Sequence, residues 1–206
     1  MVQFKDRLLT VILIFLICGI TACKNPFSHR NSEDPVGSSG TFEFPTTPTV
    51  VVTNLLFAYN ERNINNFRQC FSDSFKFSAY EDSIEAEQRG QGYIFHNWDI
   101  SVEEAVTRSI FQSFPSGLDS SYMSINIDLS SNEFDEETDS TATLLRSYEI
   151  AFIIQGDETA DTTLAVGESM FKMSRSHLAG WIIDVWSDRP DEKFELDWAD
   201  FKALFR

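Results

Sequence analysis

The pattern of apolar and polar positions predicts that a folded domain opens at residues 48–77 with two helices and a strand. Pro48 suits a first helical position, and Thr47 before it suits the N-cap. Apolar residues then recur at helical spacing: Val52, Leu55, Leu56 and Tyr59. Asn63 is placed to cap a second, short helix with three apolar positions: Ile64, Phe67 and Phe71. After a turn at residues 72–73, three apolar residues alternate with polar ones as in a half-buried strand: Phe75, Phe77 and Ala79.

A third helix is predicted in the middle of the chain. Ser101 and Glu104 form a capping box, and an apolar stripe follows at helical spacing: Val102, Ala105, Val106, Ile110 and Phe111. Residues 115–117 include a proline and a glycine, which are expected to end this helix. Before it, residues 81–89 predict a loop or a short helix, and the aromatic residues 93–98 predict an extended segment.

The second half of the chain alternates between apolar and polar residues, which predicts strands. The predicted strands cover residues 122–129, 141–155, 163–174 and 181–187, with turns at 130–139, 156–161 and 175–180. One face of the second strand is apolar at four positions: Tyr148, Ile150, Phe152 and Ile154. A short C-terminal helix is predicted from four spaced residues: Trp198, Phe201, Leu204 and Phe205. These elements predict an α+β fold, in which a strongly curved antiparallel sheet wraps around about three helices.

Residues 1–22 have the pattern of an export signal. Lys5 and Arg7 form a basic start, and residues 8–17 are apolar at all but one position. This run is shorter than the ~20 apolar residues that a membrane span needs. The small residues before Cys23 resemble the lipobox of bacterial lipoproteins, which implies that the signal is cut before Cys23 and that Cys23 carries acyl chains such as palmitate. The alternative is an ordinary cleaved signal in which Cys23 has no role.

The lipoprotein resemblance also implies a location. Acyl chains on Cys23 would hold the protein on a lipid membrane of the bacterial cell envelope without spanning it. Lys24 follows, and for a double-membraned host the resemblance then implies the outer membrane, facing the periplasm. Residues 23–46 are rich in Ser, Pro, Gly and charge and lack periodicity, which predicts a flexible tether. The chain therefore divides into a signal peptide at 1–22, this tether, and one domain at 47–206.

Composition supports one exported globular domain and argues against nucleic acid as a partner. The 206 residues are 42% hydrophobic and include 19 Phe and 4 Trp, which is enough for a packed core. The net charge is −16, and residues 1–22 contribute +1, so the remainder carries −16 − 1 = −17. An acidic surface of this kind repels phosphate backbones.

Cysteine and histidine positions predict neither a disulfide nor a metal site. Cys70 is the only cysteine after Cys23, and its apolar helical setting predicts a buried, unreactive thiol. The histidines, His29, His96 and His177, lie far apart, and no HExxH motif or cysteine pair is present. A GxSxG elbow and a Gly-rich phosphate loop are absent as well. We therefore expect no cofactor and no metal.

The chain combines a helix–helix–strand opening at residues 48–77 with the ending GWIIDVW at residues 180–186, followed by Asp188 and Trp198. Together these resemble nuclear transport factor 2-like domains, of the cystatin-like cone type, in small bacterial lipoproteins. The resemblance covers about residues 45–206 and rests mostly on packing positions. It implies a cone made by a bent sheet and three helices with a cavity between them. Members of that superfamily include isomerases, dehydratases, small-ligand binders and adaptor domains, so the fold alone does not choose a function.

The resemblance places candidate site residues in the cone, where enzymes of the superfamily commonly use an Asp or a His. On the last strand, strict alternation puts Ile182, Asp184 and Trp186 on one face. The catalytic candidates are Asp184 and His96, against the alternatives that Asp184 points to solvent and that His96 is hydrogen-bonded structure. Four aromatic residues are candidates to line a pocket for an apolar ligand: Tyr80, Trp98, Tyr148 and Trp186.

Three functions remain open from the sequence. The missing catalytic constellation favours a non-catalytic, membrane-anchored lipoprotein that binds a small apolar ligand or an envelope protein. The first alternative is an isomerase- or dehydratase-like enzyme that uses Asp184 or His96. The second alternative is a structural module that forms a homodimer through the outer face of its sheet.

Overall fold

The structure is a computed structural model that describes residues 40–115, 122–153 and 162–206. Several predictions lie outside these residues: the signal peptide, Cys23 and most of the tether at 1–39, Gly117, Ile154, and the turn at 156–161. The fold below therefore concerns the predicted domain.

Five α-helices are found in the described residues: α1 (Pro48–Glu61), α2 (Ile64–Gln69), α3 (Tyr80–Gln88), α4 (Ile100–Ser113) and α5 (Trp198–Ala203). Pro48 lies in the first turn of α1 as predicted, although the Thr47 side chain makes no capping hydrogen bond. None of these helices has both the length and the apolar character that a membrane crossing requires.

The strands form one six-stranded curved sheet: β1 (Phe71–Ala79), β2 (Tyr122–Ile127), β3 (Glu136–Glu137), β4 (Thr141–Ile153), β5 (Thr162–Ser176) and β6 (Gly180–Pro190). Their order is β1-β6-β5-β4-β2, with β3 also on β4. β1 runs parallel to β6, and all other pairs are antiparallel. The predicted α+β class with a curved antiparallel sheet is confirmed. The described residues contain five helices where about three were expected, and β1 pairs in parallel with β6.

The core lies between the sheet and the helices and is rich in aromatic rings. Tyr59 of α1 is at its centre, with its ring edge-on to Phe67, Phe111 and Trp198 at centroid distances of 5.5, 5.3 and 5.1 Å. These partners belong to α2, α4 and α5. One tyrosine thus joins four helices, which fixes where α4 and α5 meet the sheet.

The predicted end of the second helix is wrong. Phe71 begins β1 instead of ending α2, and residues 72–73 continue the strand without a turn. The reason is pairing with β6, because Phe71 lies opposite Ile183 and the Cys70 carbonyl accepts a hydrogen bond from the Ile183 N–H at 2.8 Å. Cys70 is buried as predicted, and burial raises the pKa of its thiol, so the thiol stays protonated and unreactive.

The extended segment predicted at residues 93–98 is also wrong. Gly92–Ile94 form a 3₁₀ turn, closed by hydrogen bonds from Ile94 N–H to Gln91 O at 3.0 Å and from Phe95 N–H to Gly92 O at 3.2 Å. Local bonds of this kind replace the sheet partners that an extended strand would need. The turn also leaves the preceding polar segment free to form α3, one of the two structures predicted for it.

Helix α4 begins earlier than the predicted capping box implies. Its N-cap is Asp99, whose Oδ1 accepts hydrogen bonds from the N–H groups of Ser101 and Val102 at 2.9 and 3.2 Å. Ser101 is therefore inside the helix, and Glu104 pairs with Arg108 at 2.6 Å. Aspartate caps helices as well as serine does, so Asp99 and Ser101 are both possible N-caps by sequence.

The cap on α2 gives a direct test of the local structure. Asn63 Oδ1 accepts hydrogen bonds from the N–H groups of Asn65 and Asn66, each at 3.1 Å, as the sequence predicted. We expect Asn63→Ala to lower the free energy of unfolding by about 1 kcal/mol. Urea denaturation measures this, with the exposed Asn65→Ala as control, which should change stability by less than about 0.5 kcal/mol. Equal effects of the two variants would contradict the assigned cap.

Candidate functional site

The short C-terminal helix α5 lies between the sheet and the other helices, where a cone would hold its ligand. Four of its residues are fully buried: Trp198, Ala199, Phe201 and Lys202. The Trp198 ring contacts Tyr148 of β4 at 4.9 Å and Trp186 of β6 at 4.4 Å between centroids. The Phe201 ring lies 4.4 Å from that of Phe152. The interior is thus filled by the chain's own side chains.

An ion pair is buried at this interface. The Nζ of Lys202 lies 2.8 Å from Oε1 of Glu103 on α4, and both side chains have 0% exposure. The contact is an ion pair whose angles fall outside hydrogen-bond geometry. The other carboxylate oxygen, Oε2, accepts a hydrogen bond from Trp98 Nε1 at 2.7 Å. Water is excluded from both charges, so each depends on its protein partner.

Two aromatic faces complete the surroundings of Lys202. Its Nζ lies 3.4 Å from the ring centroid of Trp186 and 3.8 Å from that of Phe77. Such cation–π contacts are strongest when the cation has lost its water. Burial lowers the pKa of Lys202, while Glu103 and then Asp188 act in the opposite direction. The surroundings therefore stabilise the charged form of Lys202.

A second polar cluster is centred on Asp188 of β6. Its Oδ2 accepts hydrogen bonds from the Tyr148 hydroxyl at 3.0 Å and from the Ala199 N–H at 2.9 Å. Its Oδ1 accepts one from the Ser169 hydroxyl at 3.0 Å, and Ser169 Oγ in turn accepts one from Trp186 Nε1 at 2.8 Å. Burial raises the pKa of Asp188 to about 7, against the opposing effects of Lys202 and these donors. Both carboxylate oxygens have protein partners.

Three cavities on the described part of the molecule lie away from these clusters. Their volumes are about 440, 370 and 230 Å³. None of these three is lined by Tyr148, Asp188, Glu103 or Trp186. The two clusters are therefore arranged as hydrogen-bonded and ion-paired core.

No protein-family model matches the chain, and no curated protein matches it. Solved structures do match. The Kfla4162 protein from Kribbella flavida aligns with a TM-score of 0.53 at 13% identity, covering 75% of this chain and 92% of that one. A nuclear transport factor 2-like superfamily protein from Salmonella enterica aligns with a TM-score of 0.50 at 12% identity, covering 69% and 87%. The chain has a nuclear transport factor 2-like fold.

A third match is a putative scytalone dehydratase from Novosphingobium aromaticivorans. It aligns with a TM-score of 0.51 at 8% identity, covering 68% of this chain and 79% of that one. At such identities the likeness concerns the nuclear transport factor 2-like fold alone and carries no reaction or ligand. What this chain does must therefore be argued from its own residues.

The fold buries three of the four predicted pocket residues and exposes the fourth. Trp98, Tyr148 and Trp186 are in the core, where they pack against or hydrogen-bond to α4 and α5. Tyr80 begins α3 and is 72% exposed. The structure thus places the first three in the cone as packing residues and leaves Tyr80 on the surface.

The catalytic candidates are not brought together. His96 lies in the turn after the 3₁₀ segment, with its side chain 62% exposed and its Nε2 3.5 Å from Glu87 Oε1. Asp184 is half-buried at a β-bulge, because Lys172 pairs with Val185 and Met173 pairs with Ile183. The extra residue breaks the alternation, so the predicted shared face of Asp184 and Trp186 is wrong. Trp186 instead lies on the buried face with Trp181 and Ile183.

Sequence reasoning missed the charged residues inside the cone. Glu103 lies in the first turn of α4, where a glutamate usually faces solvent and favours the helix dipole. Lys202 follows directly after Phe201, and lysine is almost never fully buried unless it is paired. A lysine inside a short apolar C-terminal helix was the available signal, but its partner Glu103 is identified only by the tertiary packing.

Three carboxyls have raised pKa values in the folded state, and we therefore expect the stability of the domain to fall with rising pH. Burial is the main cause that raises the pKa of Asp82 to about 6, of Asp188 to about 7 and of Asp197 to about 9. The folded state then binds more protons than the unfolded state. This contribution is complete below about pH 4 and is lost as the pH rises through each folded-state pKa.

Urea unfolding at about pH 5 and about pH 8 tests this pH dependence, with a higher free energy of unfolding expected at the lower pH. Asp82→Asn should flatten the part of the profile between about pH 4 and pH 6, because it removes the carboxyl that titrates there. A stability that rises from pH 5 to pH 8 would contradict the assigned directions.

Proposed function

We propose that this chain is a bacterial cell-envelope lipoprotein, anchored through Cys23, whose nuclear transport factor 2-like domain is a non-catalytic binding module. The observation that carries the non-catalytic part is the filled interior. Trp198 and Phe201 occupy the space between sheet and helices. Lys202 is ion-paired with Glu103, and both carboxylate oxygens of Asp188 accept protein hydrogen bonds. A ligand or partner protein would then contact the outer surface of the domain.

Catalysis by a cone residue would require space beside an acid or base. General acid–base chemistry needs the group within hydrogen-bond reach of a substrate atom. Asp188 has two carboxylate oxygens that together accept three protein hydrogen bonds, and His96 is on the surface. His96 is exposed, with Glu87 3.5 Å from its Nε2, and the side chain of the half-buried bulge residue Asp184 has no hydrogen bond or ion pair among the described contacts.

One observation favours an enzyme as the second candidate. Asp188 has a pKa of about 7 and accepts a hydrogen bond from Tyr148, which is a pairing suited to moving a proton near neutral pH. For a substrate to reach it, α5 would have to leave its place, since the Ala199 N–H and the Trp198 ring cover it. An isomerase- or dehydratase-like activity therefore depends on movement of α5.

Native mass spectrometry separates these two candidates. The full-length chain is purified in detergent from cells, without added ligand. A filled interior predicts the mass of the polypeptide with its acyl chains and no bound organic molecule. A small organic molecule that stays bound in the native spectrum and is lost on denaturation would contradict the filled interior and favour the second candidate.

The anchor is supported by the sequence that ends in Cys23. Each acyl methylene that enters a membrane contributes about 0.8 kcal/mol, so two or more chains give stable attachment. An anchored domain also needs reach from the membrane, and residues 24–39 supply a polar linker between Cys23 and the first described residue. In a double-membraned host, the proposed location is the outer membrane, facing the periplasm.

Metabolic labelling with a palmitate analogue tests the anchor. We expect the wild-type chain to incorporate label and to sediment with membranes, and Cys23→Ser to lose both properties. Cys18→Ser is the matched control, because Cys18 directly follows the apolar run of residues 8–17 and precedes the proposed cleavage point. Label that persists in Cys23→Ser would refute lipidation at this residue, whatever the domain binds.

A further inference from the structure

Three aspartates from two separate parts of the chain meet at the surface end of α5. Asp82 lies in the first turn of α3, Asp197 is the N-cap of α5, and Asp200 lies in the first turn of α5. One carboxylate oxygen from each lies within 4.8 Å of the other two. Like charges at this separation repel one another, so their convergence calls for a compensating group.

Two of the carboxylate oxygens are buried without a hydrogen-bond partner. Asp197 is 1% exposed, and its Oδ1 accepts a hydrogen bond from the Asp200 N–H at 2.8 Å. Its Oδ2 has no hydrogen-bond donor, and neither has the buried Oδ2 of Asp82. Buried carboxylate oxygens in folded proteins almost always have a donor or a cation. These two oxygens therefore point to a ligand that supplies positive charge.

The nearby cations have carboxylate partners of their own. Arg89, the C-cap of α3, lies 2.5 Å from Glu85, and its charge also favours the ionised form of Asp200. Lys202 of α5 is paired with Glu103. The other charged groups that act on the three aspartates are acidic: Glu81, Glu85 and Asp188. A cavity of about 230 Å³, lined in part by Asp82 and Asp200, gives access from solvent.

We infer that Asp82, Asp197 and Asp200 bind one divalent cation, and that Ca²⁺ fits the site best. Carboxylate oxygens are ligands for hard cations, and Ca²⁺ binds them at 2.3–2.6 Å with flexible geometry. Oxygens on opposite sides of such an ion are up to about 5 Å apart, so three oxygens within 4.8 Å of one another fit around it. Mg²⁺ demands near-ideal octahedral geometry and is usually held by one or two carboxylates and several waters, so it suits three protein carboxylates less well.

The cation would join α3 to the start of α5. Asp82 belongs to α3. Asp197 and Asp200 belong to the segment that carries Trp198 and Lys202 into the core. Binding at this point would favour the position of α5 between the sheet and the helices. Three protein carboxylates with water in the remaining positions correspond to an affinity of about 10⁻⁴–10⁻³ M, as in extracellular Ca²⁺ modules. The site does not depend on the membrane anchor proposed above.

Calorimetric titration and thermal unfolding of the full-length chain in detergent test the site. After EDTA treatment, Ca²⁺ should bind with a stoichiometry of about one, and about 5 mM Ca²⁺ should raise Tm by about 2–9 °C. Asp82→Asn should lose most of this shift, and its Tm in EDTA should equal or exceed that of the wild type, because one repelling charge is gone. Asp200→Asn provides a second variant in case Asp82→Asn folds poorly.

Asp139→Asn is the matched control, since Asp139 is an exposed carboxylate in a separate acidic segment. It should keep the full Ca²⁺ shift, which distinguishes a defined site from general attraction to an acidic surface. The inference is overturned if the wild type shows neither binding nor a shift, or if both Asp82→Asn and Asp200→Asn retain the wild-type shift. An equal shift with Mg²⁺ at the same concentration would overturn the assignment to Ca²⁺.

Discussion

Lys202→Met should lower the free energy of unfolding by about 3–5 kcal/mol at neutral pH. The substitution keeps most of the side-chain volume and removes the charge that lies 2.8 Å from Glu103 Oε1. Glu103 would then remain fully buried with only the Trp98 N–H as a donor. An uncompensated buried charge is far more costly than the ion pair is stabilising, which is why the expected effect is large. Urea denaturation followed by tryptophan fluorescence measures it.

The double variant Glu103→Gln with Lys202→Met is the matched control. Glutamine keeps an oxygen acceptor for Trp98 and carries no charge, so the double variant should recover at least about half of the lost stability. Replacing buried ion pairs by neutral side chains is often close to neutral in stability. The single variant Glu103→Gln completes the comparison. If Glu103→Gln lowered the free energy of unfolding by the same amount in Lys202→Met as in the wild type, the two residues would not be coupled. The assigned ion pair would then be wrong.

Trp198→Ala should also cost about 3–5 kcal/mol, because it removes a fully buried indole from the centre of the aromatic core. The ring touches Tyr59 of α1, Tyr148 of β4 and Trp186 of β6, so its loss leaves a cavity that no single element can close. Denaturant unfolding gives the change in free energy. The apolar dye ANS should bind more strongly to the variant, since the space between sheet and helices opens.

Leu204→Ala is the control from the same end of the chain. Leu204 is the C-cap of α5 and is 58% exposed, so its truncation should change stability by less than about 0.5 kcal/mol. A cost for Trp198→Ala as small as that of Leu204→Ala would mean that α5 does not contribute to the core.

Features that depend on local chemistry could be predicted from the sequence. Asn63 caps α2 because a short polar side chain there satisfies the free N–H groups that follow it, whatever packs nearby. Strand β4 can be predicted from the alternation of apolar and polar residues. Tyr148, Ile150 and Phe152 all lie on the buried face of the sheet. The membrane anchor stays a prediction, because Cys23 lies outside the described residues.

Features that depend on long-range pairing could not be predicted. One inserted residue at Asp184 reverses which side chains face inward, and alternation in the sequence cannot show where a strand gains a bulge. Phe71 reads equally well as the end of a helix, and pairing with β6 decides that it starts a strand. Glu103 and Lys202 are charged residues that the packing of α4 and α5 places in the interior. The burial of either one could be predicted only if the position of its partner were known.

Hydrogen exchange at the backbone amides of α5 is the most direct test of the claim that this helix permanently fills the cone. Three amides are held by Tyr148, Asp188 and Asp197, respectively: those of Trp198, Ala199 and Phe201. The filled interior predicts that they exchange only through global unfolding, at the rate of the buried Ile150 amide in β4. Exchange at least about 100-fold faster than Ile150 would show that α5 opens by itself, and the cone would then be a covered pocket.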